Sequence, residues 1–253
     1  MLPVCRKLLG RFSALAVAAA LMFCGAAAAQ EQKYLYRATL LQAAPGRLLD
    51  LIDFCKKKAE FDAKAGDQPA LWMRHSQGDH WDLLLLFPME SYGEYYSLNR
   101  MALREDSDRG SRTLPSAAHP SIAWQEDVFV YGPPLDELKA AFAKGAFYHV
   151  EMMQALPGRL FSLRKEREME NEYSKNLDRP QNFIFVRDQG AAWDIFTIGV
   201  YRDLKHYAES ADIPVKQQEE AAKKAGFDSA SAIGPYLRTL IRSHHDTLAV
   251  AVK

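Results

Sequence analysis

The chain has 253 residues, 48% of them hydrophobic, with 32 basic and 32 acidic side chains. That even balance leaves no electrostatic footprint for nucleic acid, and no stretch after the first thirty residues is long and apolar enough to span a bilayer. Of three cysteines, two fall in the first 24 residues, which excludes a disulfide framework or a structural zinc site further along.

Residues 1–29 read as a secretory signal peptide. Arg6, Lys7 and Arg11 form a basic region, Leu15 to Phe23 an apolar core, and Ala26 to Ala29 a small-residue cleavage site. This predicts a periplasmic or secreted protein with 29 basic groups against 32 acidic ones, a net charge of −3. Cys55 is then the lone thiol.

Residues 34–43, YLYRATLLQA, suit a strand. Pro45-Gly46 breaks it, since proline lacks a donor and glycine tolerates conformations closed to other residues. From Leu48 to about Lys64 the apolar Leu48, Leu51, Ile52, Cys55 and Ala59 recur at helical spacing, which places Cys55 on a buried face. Residues 70–76 and 80–87 are two further strands around a Gln77-Gly78-Asp79 turn, with His75 and His80 expected at the surface beside it. Glu90 to about Arg104 is a second helix. A loose segment with Pro115 and Pro120 follows, and then a strand from Trp124 to Tyr131. Leu135 to Lys144 reads as a short linking helix.

The remainder repeats this order. Strand 146–155, helix 158–177, strands 182–188 and 192–200, helical segments within 202–242, and a last strand 244–252 are expected. The reason is visible in the residues: QAAPGRLLDL at 42–51 returns as QALPGRLFSL at 154–163, an offset of 112. The same offset sets Tyr36 on Tyr148, Gly78 on Gly190, Trp81 on Trp193, Asp82 on Asp194 and Tyr95 on Tyr207. Agreement of that length, rare tryptophans included, predicts a duplicated domain. Near the end the offset becomes 119, with Asp127 on Asp246. The expected organisation is a signal peptide at 1–29, a first ferredoxin-like βαββαβ repeat at 30–134, a linker helix at 135–145 and a second repeat at 146–253.

A strand ending in Pro-Gly-Arg, a helix, and a hairpin carrying Trp-Asp resemble the dimeric α/β-barrel superfamily, which includes antibiotic-biosynthesis-monooxygenase-like and NIPSNAP-like proteins. The residues that carry the likeness are Tyr36, Pro45-Gly46-Arg47 and Trp81-Asp82, with Tyr148, Pro157-Gly158-Arg159 and Trp193-Asp194. The resemblance implies an α+β chain whose two four-stranded sheets face one another across a cavity. Here one chain with an intrachain pseudo-dimer, or a homodimer, could supply them. It also implies an exported small-molecule-binding protein, with cofactor-independent monooxygenase-like activity as one expectation. A non-catalytic assembly protein is the alternative, and a haem or metal protein a third reading. No cofactor is expected.

Strand alternation puts Arg37 with Thr39, and His149 with Glu151, on one face of their strands. These four are the expected ligand-binding residues, pointing into the cavity between the sheets. His244 and His245 begin the last strand beside Asp246, so His149, Glu151 and one of them would form a metal triad if any metal bound; their spacing is no metal signature, and none is expected. The Lys56-Lys57-Lys58 run and the RKERE stretch from Arg164 to Glu168 read as solvated helix faces. Trp81 and Trp193 are expected in the core, with Asp82 and Asp194 bonding local backbone.

Overall fold

Residues 34–112, 121–190 and 193–252 are described by a computed structural model. The expected leader and the Pro115 to Pro120 segment lie outside the described residues. The elements are β1 (Tyr34–Ala43), α1 (Leu48–Lys64), β2 (Leu71–Gln77), β3 (Leu83–Glu90), α2 (Tyr92–Tyr95), α3 (Leu98–Ser111), β4 (Ile122–Gly132) and α4 (Leu135–Phe142). Then come β5 (Phe147–Ala155), α5 (Leu160–Asn176), β6 (Phe183–Gln189), β7 (Ile195–Tyr201), α6 (Leu204–Ala208), α7 (Val215–Ala225), α8 (Ile233–Arg238) and β8 (Ile241–Val250). The expected second helix is two pieces, because Ser97, in extended conformation, starts α3 afresh.

The eight strands close one antiparallel barrel in the order β1-β3-β2-β8-β5-β7-β6-β4. Residues 34–132 and 147–250 therefore show the same internal order, with the first strand between the third and fourth. Two short seams join them: Arg74 to Gln77 of β2 against β8, and Phe129 to Tyr131 of β4 against β6.

Both Pro-Gly turns need left-handed glycine, with φ of 77° at Gly46 and 74° at Gly158. The Trp-Asp motif fastens this corner. Asp82 accepts a hydrogen bond from the Ala43 amide at 2.7 Å, and Asp194 one from the Ala155 amide at 2.9 Å. The expectation of a local partner is thus corrected: each aspartate reaches 39 residues back to the end of the first strand of its half.

An eight-stranded barrel is just wide enough inside for side chains to fill. Here Tyr36, Ala38 and Leu40 of β1, Tyr148, Val150 and Met152 of β5, and Phe185 and Phe196 all join one buried apolar cluster. Phe185 and Phe196 stack at 4.4 Å. α4 sits across one end, with Leu135 and Leu138 buried in the same cluster and the Tyr36 hydroxyl donating to the Pro133 carbonyl. Outside, α1 packs Leu51, Ile52 and Cys55 on Leu41, Leu83 and Leu85, and Leu163 of α5 packs with Met153 and Ile195. No helix among the described residues is long and apolar enough to cross a membrane.

Candidate functional site

The polar residues of β1 and β5 face the helices, not the barrel interior. Arg37, Thr39, His149 and Glu151 alternate with Tyr36, Ala38, Leu40, Tyr148, Val150 and Met152, and it is the latter set that fills the barrel. The expected orientation was inverted, for a physical reason. A closed interior has no water and no spare partners, so it takes the apolar alternate. The helix-covered outside offers carboxylates at its edges.

Those carboxylates are Asp127 and Asp246, at matching places in the two halves. Thr39 donates to Asp127, and the Arg37 Nε stands 3.8 Å from it. His149 lies 3.4 Å from Asp246, and His244 3.0 Å from the same carboxylate. The bond from His149, with the charges of both histidines, holds the Asp246 carboxyl below its ordinary range.

The four residues that would hold a metal if any bound do not converge. Glu151 is taken by the Arg167 guanidinium at 3.3 Å and the Thr197 hydroxyl at 3.2 Å. His245 falls on the opposite face of β8 from His244 and pairs with Asp79 at 3.3 Å. Among the described residues no group of three or more His, Cys, Asp or Glu is placed to hold a metal ion.

Arg167 is a residue the sequence reading missed. The RKERE stretch is not a solvated face throughout, since Glu166 and Arg167 are both buried. Arg167 donates to Glu166 through Nε at 2.6 Å and Nη2 at 2.8 Å, and to Glu170 at 2.7 Å. One guanidinium thus serves three carboxyl groups. Burial, only partly offset by Arg167, pushes the Glu170 carboxyl up to about 8, with Glu151 and Glu166 adding repulsion. The signal was present: Leu163, Glu166, Arg167 and Glu170 follow the helical spacing of a buried stripe. At the offset of 112 they match Leu51, Phe54, Cys55 and Lys58.

That substitution opens a cleft in the first half. Where α5 carries Arg167, α1 carries Cys55, a buried thiol pushed by desolvation up to about 12 and so unreactive at neutral pH. Beside it, between α1, α3 and the outer face of β1 and β3, lies a cleft of about 410 Å³. Arg37 and Thr39 are in its wall, with Phe54, Phe87 and Tyr95. The Arg37 guanidinium stacks on Phe87 at 4.6 Å, and its Nε is buried without a hydrogen-bond partner. The other cations of the cleft have closer partners, Lys58 in Asp62 and Asp108 and Arg104 in Asp67, whereas Arg37 has Asp127 at 3.8 Å.

A second recess of about 190 Å³ lies at the mouth of the barrel, at the end away from α4. Trp81, Trp124 and Trp193 line it, with Asp79, His80, Glu126 and His245 at the rim. His80, expected at the surface, is more than half exposed there and pairs with Asp79 at 2.6 Å.

No family model matches the chain, and no curated protein matches its sequence. Among solved structures it is similar to an anthrone oxidase-like protein, with a TM-score of 0.53 and 9% identity over 88% of this chain and 93% of that one. It also aligns with a monooxygenase candidate from Lactobacillus acidophilus NCFM (TM-score 0.47, 9% identity, 86% and 93% covered). A heme-binding protein from Thermus thermophilus aligns with a TM-score of 0.42 and 12% identity over 87% and 92%. The fold is of the dimeric α/β-barrel kind, α+β with an antiparallel sheet.

Proposed function

We propose that the chain is an exported small-molecule-binding protein, built by tandem duplication of a ferredoxin-like unit, and that its ligand carries a carboxylate taken by Arg37. One observation carries the reading: a guanidinium whose Nε has no hydrogen-bond partner, braced on an aromatic ring, in a cleft that Phe54, Phe87 and Tyr95 help to wall. Guanidinium is the side chain best matched to a carboxylate, which it can bind through two parallel hydrogen bonds. Thr39 sits beside it, and Phe54, Phe87 and Tyr95 would receive an apolar body. His149 and Glu151 belong to the other half, where Asp246 and Arg167 already satisfy them.

The test uses phenylacetate and hexanoate as probes in calorimetry. Arg37→Gln, which keeps a polar side chain but removes the guanidinium and its charge, is expected to weaken binding about tenfold or more. Equal affinity for both proteins, or no binding at millimolar probe, would overturn the reading. Cofactor-independent monooxygenase-like activity is supported by the likeness of fold to an anthrone oxidase-like protein. It is tested separately, by oxygen uptake with anthrone in metal-free buffer. Cleavage after Ala29 is tested by the N-terminal mass of the secreted protein.

A second reading, a non-catalytic assembly protein, is favoured by the filled barrel interior and by Leu49 and Phe161. These two occupy matching positions in α1 and α5 and are 72% and 82% exposed. Light scattering decides it: a concentration-independent monomer removes that support.

A further inference from the structure

The barrel mouth carries polar groups that the chain itself leaves unmet. The indole N–H of Trp81 and that of Trp193 are both buried without a hydrogen-bond partner. Among the described residues Trp81 is the largest fully buried side chain. A buried donor without an acceptor is costly and calls for explanation. That two occur, at matching positions of the two halves and in one recess, points to an acceptor that both halves share. Glu126, in the same recess, shows the opposite need. Burial holds its carboxyl above the ordinary range against the charge of His80, with Asp79 and Asp127 adding repulsion, and no hydrogen bond relieves it. Its place in β4, opposite Leu40, turns it to the interior side of the barrel. Asp79 is already engaged by His80 and His245.

We propose that the barrel mouth is a second binding site, for a small amino acid or a zwitterion of the same build, with its carboxylate taken by the Trp81 and Trp193 indoles and its ammonium by Glu126. The complementarity selects this class. A plain carboxylate would satisfy the indoles but would meet Glu126 and Asp79 as like charges. A plain amine would satisfy Glu126 and leave both indoles unmet. A molecule with both charges a few ångströms apart answers the two indoles and Glu126 together. The recess, at about 190 Å³, has the space of roughly six waters, which limits the ligand to about ten non-hydrogen atoms. Three of the chain's four tryptophans line the site, so occupancy has its own optical signal.

The experiment is a titration of the purified protein with each of the twenty amino acids at neutral pH. It is followed by tryptophan fluorescence and by calorimetry, with propionate and ethylamine as single-charge controls. At least one small amino acid is expected to bind at least tenfold tighter than either control. Trp81→Phe and Trp193→Phe keep the apolar area and remove one donor each, and each is expected to weaken binding about tenfold. Glu126→Gln, at the partly exposed rim, tests the ammonium contact without disturbing the core, with a loss of similar size. The titrations are repeated in the Arg37→Gln protein, which removes carboxylate binding at the outer cleft, and the preference for an amino acid over both controls is expected to persist there. The proposal fails if no amino acid binds better than propionate or ethylamine. It fails equally if Glu126→Gln and both phenylalanine variants retain full affinity.

Discussion

Glu170 should make the protein less stable as pH rises through neutrality, and Glu170→Gln should remove that loss. The carboxyl is raised from its ordinary value near 4.5 to about 8, because burial beside Glu151 and Glu166 outweighs the attraction of Arg167. Below pH 4.5 the folded and unfolded chains both hold its proton. Between 4.5 and about 8 the folded chain holds it and the unfolded chain does not, so folding takes up a proton and stability falls with rising pH. The change in proton affinity is roughly 3,000-fold, which bounds the loss at about 5 kcal/mol. The substituted amide would resemble the protonated acid, and its oxygen could still accept the bond from Arg167 that Glu170 accepts at 2.7 Å. The assay is urea unfolding of both proteins at half-unit intervals from pH 5 to 8.5. The two should agree within about 1 kcal/mol at pH 5, and the variant should be more stable by about 2–4 kcal/mol at pH 8.5. Parallel curves across the window, or a variant weaker at high pH, would refute the account of a buried, proton-bearing carboxyl.

Two more outcomes follow from packing. Arg167→Met leaves Glu166, Glu151 and Glu170 without their shared cation, and should cost about 3–5 kcal/mol. Adding Glu166→Gln and Glu170→Gln should recover much of it in the same melts, and a variant as stable as the parent would mean the cluster contributes little. Gly78→Ala should cost about 2 kcal/mol or more, since Gly78 has φ of 120° and an added Cβ would stand 2.1 Å from the Asp246 carbonyl oxygen. Gly46→Ala, with open space around it, should cost only about 1 kcal/mol in thermal melts. Equal losses would mean that the hairpin's approach to β8 is not what fixes Gly78.

The arrangement of strands was legible because local signals agreed with the long-range repeat. β1 and α1 begin and end where alternation, Pro-Gly and helical spacing place them. What alternation could not give was direction. Tyr36-Ala38-Leu40 and Arg37-Thr39-Leu41 are two faces of one strand, and both are largely buried. Choosing the inward set requires knowing that the barrel is sealed and filled, which is a property of all eight strands together. The same limit hid the candidate sites. Arg37 was singled out as polar on a strand, but its lack of a hydrogen bond shows only when Asp127 is seen to be occupied by Thr39 and Gln125. Trp81 is in the core as expected, and Trp193 is partly buried against it. That their N–H groups stay unmet depends on what surrounds them and has no sequence signature.

The two halves share a backbone plan and differ in how they fill the space between helix and sheet. In the second half Arg167 and three glutamates occupy it, at the desolvation cost of four ionisable groups. In the first half Cys55 stands where Arg167 would be, Phe54 where Glu166 would be, and the space remains open as the cleft beside Arg37. The chain has this freedom because its two halves pack on one another through the shared apolar interior. One outer face can hold a charge cluster that fixes the helix. The other can forgo that cluster and keep a cation with donor capacity to spare for a ligand. The barrel mouth is the complementary case, where equivalent residues from both halves, Trp81 and Trp193, meet in one recess. The cleft lies where the two halves differ in residue, and the mouth where they match. Binding at the cleft should therefore respond to substitutions in one half only, whereas binding at the mouth should respond to substitutions in either.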